Sequence, residues 1–336
     1  MNKSGNILLA HGGGGRLMHE LIRDVIVPRL SNPVLDSLED AAVIDVGRGP
    51  LAFTTDSYVV KPIFFRGGNI GRLSVCGTVN DLAVQGARPV ALSLAFIIEE
   101  GFEIAKLEKI VASIAEAAEE AGVYIATGDL KVVENGGADG IFINTAGIGR
   151  VIEGTRVSSS NARQGDAVLI NGPIAEHGLA IMCEREGVEF GTEIGSDCAP
   201  LAGMVGEILR AVPDVHCMKD PTRGGLAGAL HEIAEKSRVT IEVHESDLPL
   251  TDATRSACDL LGLDPLSVAN EGKVIVVCPG NRAQKALDAM KNHRYGREAR
   301  IIGEVSGSRA EVLLRTAVGG LRIIDMPYGE LLPRIC

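Results

Sequence analysis

The sequence of 336 residues contains no tryptophan, and aromatic residues make up only 3% of it. Because unpaired bases are usually held by stacking on aromatic side chains, this composition offers little to single-stranded nucleic acid. Runs of lysine and arginine are also absent, and the formal net charge is −11 at pH 7. We therefore expect no nucleic-acid partner, since binding the phosphate backbone requires clustered cations.

Two further absences concern location. No stretch of about 18 uncharged apolar residues occurs, so no membrane-spanning helix is expected. Only four consecutive apolar residues precede His11, which is too few for a secretory signal, and we expect a cytoplasmic protein. The seven cysteines form no C-x-x-C pair and are odd in number, which favours reduced thiols over a disulfide framework or a structural zinc site.

The common nucleotide-binding motifs are missing as well. The chain has no G-x-x-x-x-G-K-[ST], and residues 12–17 do not fit G-x-G-x-x-G, which disfavours a P-loop or a Rossmann site. The glycines at 12–15 nevertheless lie between a predicted strand at 7–10 and an amphipathic helix with apolar residues at positions 17, 21, 25 and 30. Backbone N–H groups in such a loop can approach an anion closely.

The length exceeds the size at which a single hydrophobic core stops growing, so two domains are expected. Hydrophobic periodicity predicts alternating strands and helices throughout, with a polar connector at 153–166. The interpretation is a two-domain α/β or α+β chain with an N-terminal domain at 1–152, a C-terminal domain at 153–326 and a tail at 327–336. In the first half we predict strands at 42–46, 51–55, 91–98, 123–127 and 141–148, and one long helix that ends at Gly122.

Five short segments each place a carboxylate in a turn-like or glycine-flanked setting beside an apolar run. Any single one of them is sufficiently explained as a helix cap or a surface turn, but five together suggest a shared cleft. Converging carboxylates would repel a polyphosphate, unless a divalent cation reverses the sign. Aspartates without His or Cys partners suit Mg²⁺ shared with ATP. The segments are residues 39–42, 54–57, 79–82, 127–131 and 219–225.

The carboxyl end of the sequence carries Cys336 behind two prolines and a glycine. These residues prevent a stable helix, and terminal segments are mobile unless they are tied down. A thiol on such a tether could visit more than one site. An incidental terminal cysteine is the alternative; its carboxylate would disfavour the thiolate, which Arg334 could offset.

Seven motifs closely resemble the HypE family of hydrogenase-maturation carbamoyl dehydratases, and the resemblance runs essentially from end to end. HypE belongs with aminoimidazole ribonucleotide synthetase and selenophosphate synthetase. The terminal Pro-Arg-Ile-Cys is the most discriminating motif. The motifs are HGGGG at 11–15, TTDSYVV at 54–60, GGNIG at 67–71, GTVNDLA at 77–83, KDPTRGG at 219–225, NEGK at 270–273 and PRIC at 333–336.

The resemblance implies a two-domain α+β, AIR synthetase (PurM)-like fold. The N-terminal domains would pair into a dimeric β-barrel with ATP in a cleft, and the C-terminal domain would be an α/β sandwich. A HypF-type carbamoyltransferase would place a carbamoyl group on the thiol of Cys336. The enzyme would then use ATP and Mg²⁺ to dehydrate that group to a thiocyanate. Cyanide would pass to iron on a HypC–HypD scaffold.

The same resemblance implies roles for individual residues. Cys336 would carry the substrate group, Lys131 would contact the transferring phosphoryl or the amide oxyanion, and Glu271 would act as the base or orient the carbamoyl nitrogen. The metal ligands would be Asp40, Asp56, Asp81 and Asp220, with Asp129 as a weaker fifth candidate. Nucleotide contacts would come from these five aspartates and from Gly12, Gly13, Gly14, Asn80, Thr222, Arg223, Gly224 and Gly225.

Other functions fit the sequence less well. Selenophosphate synthetase would carry a reactive cysteine near the N-terminus, whereas the first cysteine here is Cys76. Aminoimidazole ribonucleotide synthetase and thiamine-phosphate kinase need no terminal cysteine. A non-catalytic scaffold with a docking tail remains possible on sequence grounds, as does a redox-sensing thiol, although no resolving partner for Cys336 is evident.

Overall fold

The computed structural model describes residues 15–21, 23–24, 35–40, 42–45, 49–187, 194–329 and 332–336. The strand predicted at 7–10, Gly12, Gly13 and Gly14 lie outside the described residues, as does part of the first predicted helix. The helices are α1 (Arg16–Leu21), α2 (Ile70–Val84), α3 (Ile104–Ala121), α4 (Glu176–Glu186), α5 (Ala202–Ala211), α6 (Gly225–Ser237), α7 (Asp252–Leu261) and α8 (Ala283–Asn292).

The strands of the N-terminal half are β1 (Ala42–Asp45), β2 (Pro50–Tyr58), β3 (Phe64–Phe65), β4 (Gly68–Asn69), β5 (Ala87–Glu99), β6 (Tyr124–Val133) and β7 (Ile141–Val151). Those of the C-terminal half are β8 (Asp166–Ile170), β9 (Cys217–Lys219), β10 (Thr240–His244), β11 (Ile275–Pro279), β12 (Arg300–Gly307), β13 (Glu311–Arg315) and β14 (Leu321–Ile323).

The N-terminal half is a five-stranded sheet in the order β1-β2-β7-β5-β6. Its pairs are antiparallel except β5 and β6, which are parallel because α3 provides the crossover between them. Helices α2 and α3 cover one face of the sheet. On the opposite face Phe53, Ile97 and Ile148 are each more than 40% exposed. The sheet therefore presents an uncovered apolar face.

Helix α2 is the centre of this half, and hydrophobic periodicity did not predict it. Thirteen of its fifteen residues are buried, so it has no polar face to give a helical period. Asn69 caps it, since its side-chain oxygen accepts from the backbone N–H groups of Gly71 and Arg72 at 2.8 and 3.2 Å. A Cβ atom at Gly71 would lie 2.4 Å from the carbonyl oxygen of Ile110, so glycine permits the close packing of α2 on α3.

The C-terminal half is a seven-stranded mixed sheet in the order β14-β13-β10-β12-β8-β11-β9. Helix α6 packs on one face, and α5 and α8 pack on the other. This arrangement confirms the predicted α+β class and the helix-and-sheet sandwich. Helices α4 and α7 turn away from this sheet and share a core cluster with α2, which joins the two halves through buried apolar contacts.

Several local predictions are confirmed. Gly122 ends α3 in the left-handed conformation, with φ of 68°. Between Val151, where β7 ends, and Asp166, where β8 begins, the chain has neither helix nor strand. Among the described residues, no helix is long and apolar enough to cross a membrane.

Candidate active site at the domain junction

Four of the predicted aspartates come together where the two halves meet. Asp40 precedes β1, Asp56 lies on β2, Asp81 lies near the end of α2, and Asp220 follows β9. Burial and then the charges of Asp56, Asp220 and Asp40 raise the pKa of Asp81 well above its ordinary value. Burial and Asp40 likewise raise the pKa of Asp220 to about 7. Each carboxylate is therefore within electrostatic reach of its neighbours.

Hydroxyl groups hold two of these carboxylates. Thr54 Oγ1 lies 2.8 Å from Asp81 Oδ2 and 3.1 Å from the carbonyl oxygen of Asp40. Asp56 Oδ2 accepts from Thr78 Oγ1 at 3.1 Å and from the phenol of Tyr58 at 3.3 Å. Neutral donors thus orient Asp81 and Asp56 without neutralising their charge.

Asp40 is in contact with a buried lysine through one carboxylate oxygen and has no partner at the other. Lys219 Nζ pairs with Asp40 Oδ1 and lies 3.2 Å from Glu232 Oε2. Burial alone would lower the pKa of Lys219, but Asp40 and Glu232 raise it well above its usual range, so the lysine stays charged. The second oxygen of Asp40 is buried without a hydrogen-bond partner. A buried unpaired carboxylate oxygen is a suitable ligand for a hard cation.

A cavity of about 500 Å³ opens over Asp40 and Asp220. This volume lies within the range of cofactor pockets. Cations and anions both line it, so a ligand carrying phosphates and metal would meet groups of either sign. The lining residues are His19, Arg23, Leu38, Glu39, Asp40, Lys219, Asp220, Thr222, Arg223, Ala229, Glu232, Glu235 and Lys236.

The loop between β9 and α6 carries four more of the predicted residues. Thr222 and Arg223 line the cavity. Gly224 and Gly225 follow with φ of 81° and 62°, a conformation that favours glycine. A Cβ atom at Gly225 would also lie 2.5 Å from the carbonyl oxygen of Leu266. The backbone conformation therefore favours glycine at both positions, and the close approach to Leu266 requires it at Gly225.

Glu271 lies at the same junction and is almost completely buried. Burial and then the charges of Asp220 and Asp197 raise its pKa well above the ordinary value, although Arg223 opposes them. The backbone N–H groups of Glu271 and Gly272 donate to the two carboxylate oxygens of Asp197 at 3.1 Å each. Asp197 thus fixes the loop that carries Glu271.

Asn80 is brought to the junction, but its side chain binds backbone groups. Its amide nitrogen donates to the carbonyl oxygens of Ala199 at 3.0 Å and Glu271 at 3.3 Å. Its oxygen accepts from the N–H of Leu201 at 2.8 Å. These contacts fasten α2 to the C-terminal half. The nucleotide contact predicted for Asn80 stays a prediction.

The C-terminal tail is docked at this junction. The N–H groups of Val59 and Lys61 donate to the main-chain oxygens of Cys336 and Arg334, both at 3.1 Å. Arg334 donates to the carbonyl oxygen of Val59 at 2.8 Å and to Asp139 at 2.5 Å. Ile335 is buried and Cys336 is half-buried. The mobility of residues 327–336 stays a prediction, since the structure shows one position of the described part.

Cys336 lies within reach of the charged cluster. The charge of Cys336 is the largest influence on Arg223 and raises the pKa of that guanidinium above its ordinary value. Glu271, Asp56 and Tyr58 act on Arg223 in the same direction. Arg223 therefore faces both the tail and the carboxylates. Because Arg223 also lines the candidate nucleotide cavity, it connects that cavity with the thiol-bearing residue.

Two predicted residues are not in the cluster. Asp129 and Lys131 lie on β6, the edge strand of the N-terminal sheet, and their side chains are 64% and 68% exposed. They pair with each other at 2.7 Å. Within the described part of one chain, no contact connects either of them to the junction.

Some residues at the junction were missed at the sequence level. Thr54 and Tyr58 lie inside the motif at 54–60 and Lys219 lies inside the motif at 219–225, so their proximity to aspartates in the sequence is a usable signal. Asp197 and His177 carry no such signal. They reach the site through a loop and a helix from the C-terminal half, and only the fold brings them there.

Comparison with known proteins identifies the family. The chain matches the AIR synthase related protein N-terminal domain over residues 38–151 and the corresponding C-terminal domain over residues 163–315. It is 48% identical over 335 residues to carbamoyl dehydratase HypE of Azotobacter vinelandii, covering 99% of this chain and 98% of that protein.

Two solved structures are also similar. The structure of hydrogenase maturation protein HypE in complex with ATP superposes with a TM-score of 0.84 at 46% identity and covers 98% of this chain and 100% of that one. The chain from the HypE–HypF complex gives a TM-score of 0.88 at 50% identity and covers 91% of this chain and 99% of that one. The chain described here belongs to the HypE family of carbamoyl dehydratases.

Proposed function

We propose that this enzyme uses ATP to dehydrate an S-carbamoyl group on Cys336 to a thiocyanate, which supplies the cyanide ligands of the nickel–iron hydrogenase centre. The observation that carries the proposal is the shared position of Cys336, Arg223 and Glu271 beside the aspartate cluster. A substrate held on the thiol of Cys336 would meet the nucleotide within the same chain.

Activation of the amide is the chemical task. Oxide is a very poor leaving group, so water does not leave a primary amide readily. Transfer of the γ-phosphoryl to the amide oxygen replaces oxide with phosphate as the leaving group. The two N–H protons and the phosphorylated oxygen then depart as the C≡N bond forms. In sum, the S-carbamoyl thiol and ATP give the thiocyanate, ADP and phosphate, and the protein must hold the phosphoryl in line with the amide oxygen.

Glu271 is our candidate for the base that accepts an amide proton. It is buried, its pKa is raised, and Asp197 fixes its loop. A raised pKa makes the ionised carboxylate a stronger base near neutral pH. Arg223, which favours the ionised form of Glu271, would also oppose negative charge that develops on the amide oxygen.

The residues present fit a magnesium–nucleotide complex. Among the described residues, no three His, Cys, Asp or Glu side chains are close enough to form a complete metal site. Mg²⁺ commonly binds one or two carboxylates together with phosphate oxygens, which suits Asp40 and Asp220 in the cavity wall, with Asp56 and Asp81 in electrostatic reach of them. The metal would neutralise phosphate charge, and the unpaired oxygen of Asp40 is an available ligand.

A homodimer would complete this site. The uncovered face of the N-terminal sheet exposes Phe53, Ile97 and Ile148, and the edge strand β6 adds Tyr124 and Val132 at 78% and 62% exposure. An apolar face of this extent, next to an unpaired strand edge, is typical of an interface. Pairing of two such faces would give the dimeric barrel and bring Asp129 and Lys131 of one protomer to the cavity of the other.

The partners follow from the chemistry of the tail. The thiol must first receive a carbamoyl group, for which we propose a HypF-type carbamoyltransferase. The thiocyanate must then lose cyanide to an iron acceptor, for which we propose the HypC–HypD scaffold. Both steps require Cys336 to leave the docked position, so the contacts at residues 59–61 must open in each cycle.

Intact-mass measurement tests the function directly. The protein is incubated with the carbamoyltransferase, carbamoyl phosphate and Mg–ATP. We expect the mass of one carbamoyl group to be gained and one water to be lost afterwards. The matched Cys336→Ala variant should gain no mass. A carbamoyl group accepted by the Ala variant, or a carbamoylated protein that keeps its water in the presence of Mg–ATP, would contradict the proposal.

A further inference from the structure

A buried histidine contacts the tail one residue before Cys336. His177, near the start of α4, is fully buried, and its ring forms a T-shaped pair with Phe65 at a centroid distance of 5.5 Å. Its Nε2 lies 2.6 Å from the carbonyl oxygen of Ile335, and its Nδ1 lies 2.7 Å from Ser196 Oγ. The chemistry described above gives this side chain no part.

The hydrogen-bond partners fix the tautomer of the ring. A carbonyl oxygen can only accept, so Nε2 of His177 carries the proton that Ile335 receives. In a neutral ring Nδ1 then accepts, and the hydroxyl of Ser196 donates to it. Ser196 Oγ in turn accepts from the N–H of Cys198 at 3.1 Å. Burial lowers the pKa of His177, although Asp197 opposes this, which favours the neutral ring that the arrangement needs.

Apart from the N–H of Val59, which donates to the main-chain oxygen of Cys336 itself, the tail contacts described above act further from the thiol. Arg185 donates to the carbonyl oxygens of Pro333 at 2.8 Å and Arg334 at 3.1 Å, and Arg334 pairs with Asp139. Ile335 receives its hydrogen bond from His177, immediately before the residue that carries the substrate. When the tail leaves, this buried donor loses its acceptor, so the docked state is favoured.

We propose that His177 is a positioning residue of the dehydration step: its Nε2–H holds the carbonyl of Ile335 and so places the thiol of Cys336 against the catalytic groups. Acceptance of the carbamoyl group, which requires an undocked tail, does not depend on it. This inference rests on the proposed function. It predicts that a substitution of His177 can slow the dehydration step without slowing the carbamoylation of Cys336.

Two amide variants isolate the contact. In His177→Gln the terminal NH₂ reaches about as far as Nε2 and can still donate to Ile335. In His177→Asn the shorter amide reaches only the position of Nδ1 and keeps Ser196 as its partner. We expect the Asn variant to form thiocyanate about 10- to 100-fold more slowly from carbamoylated protein, because small misplacement of reacting groups has effects of this size. The Gln variant should retain most of the rate.

Carbamoylation and tail accessibility complete the test. The rate of carbamoyl transfer to Cys336 should be unchanged in both variants. Alkylation of Cys336 by iodoacetamide, followed by peptide mass mapping, should be faster in the Asn variant than in the Gln variant and the wild type. Equal losses of dehydration in both variants, or a loss of carbamoylation, would overturn the inference. If the wild type makes no thiocyanate while the alkylation difference persists, the proposed function fails and the docking role stands.

Discussion

The junction and the edge strand carry the same residue types in contrasting surroundings. At the junction, Lys219 and Asp220 are buried among other carboxylates, and the pKa of Asp220 rises to about 7 through burial and Asp40. On β6, Asp129 and Lys131 are exposed and pair with each other, and the side-chain hydrogen bond from Lys131 lowers the pKa of Asp129. An exposed pair of this kind contributes little to stability.

The contrast shows that residue type does not determine the role of an aspartate or a lysine. Of these two regions, the junction alone has the burial and the crowding of like charges that a metal and phosphates would relieve. The edge strand can take part in catalysis only if a second copy covers it. The aspartate cluster of the junction is therefore formed within one chain, whereas Asp129 and Lys131 could join it only from a second copy. Both statements can be tested.

The largest expected effect concerns the junction itself. Glu271→Gln removes the base but keeps the size and burial of the side chain. We expect thiocyanate formation to fall by about 10²- to 10⁴-fold, the usual contribution of a general base. Binding of Mg–ATP, measured by calorimetry, should persist because the aspartate cluster is untouched.

A buried glutamate outside the junction is the matched control for this substitution. Glu242 on β10 is also buried, where it pairs with Arg315. Glu242→Gln should therefore retain wild-type turnover. If Glu271→Gln keeps its turnover, the carboxylate has no place in the chemistry; if it loses Mg–ATP binding as well, its role is in assembling the site.

The second prediction tests the dependence on a second copy. We expect Lys131→Ala to reduce turnover about 10- to 100-fold if the lysine stabilises the transferring phosphoryl. Mixing the Lys131→Ala and Glu271→Gln variants shows whether Lys131 acts in the site of its own protomer or in that of its partner. A mixed dimer contains one intact site only if Lys131 acts across the interface. Random pairing of equal amounts should then restore about a quarter of wild-type activity.

The outcome of mixing decides where Lys131 acts. No recovery above the separate variants would place Lys131 and Glu271 in the same protomer's site, contrary to the exposed position of β6. Unchanged turnover of Lys131→Ala alone would remove the lysine from the mechanism. The mass of the mixed sample under native conditions confirms that exchange has taken place.

Much of the fold could be predicted because most elements have one polar and one apolar face. The long helix predicted to end at Gly122 is observed as α3, since its buried residues Ile110, Ile114 and Ala118 recur with a helical period. Helix α2 was missed because it is buried on all sides. For the same reason, the sequence showed a motif at Thr78, Asn80 and Asp81 but did not predict the helix that carries them.

The aspartates were found through their short sequence contexts, whereas their neighbours were not. His177, Arg185 and Asp197 act on the tail or on Glu271 across more than 70 positions of sequence. No local pattern encodes such pairings, because they arise from the packing of α4 and the 194–201 loop against the N-terminal half. The docked path of residues 332–336 belongs to the same class of long-range contacts.

The smallest expected effect concerns stability, and it should have opposite signs in the two regions. The raised pKa of Asp220 means that the folded state holds its proton up to about pH 7, whereas the unfolded chain releases it near pH 4. Folding then binds protons between these values, so this group destabilises the ligand-free protein as pH rises from 4 to 7. Asp220→Asn should therefore stabilise the ligand-free protein at pH 7.

Thermal unfolding over this pH range measures the difference between variant and wild type. The gain for Asp220→Asn should grow from pH 4 to pH 7, whereas Asp129→Asn should show no gain because the pKa of Asp129 is lowered and the group is exposed. Saturating Mg–ATP should raise the unfolding temperature of the wild type more than that of Asp220→Asn, since a ligand stabilises only the state that binds it. A stabilising effect of Asp129→Asn equal to that of Asp220→Asn would mean that the two regions do not differ in the electrostatic strain of their carboxylates.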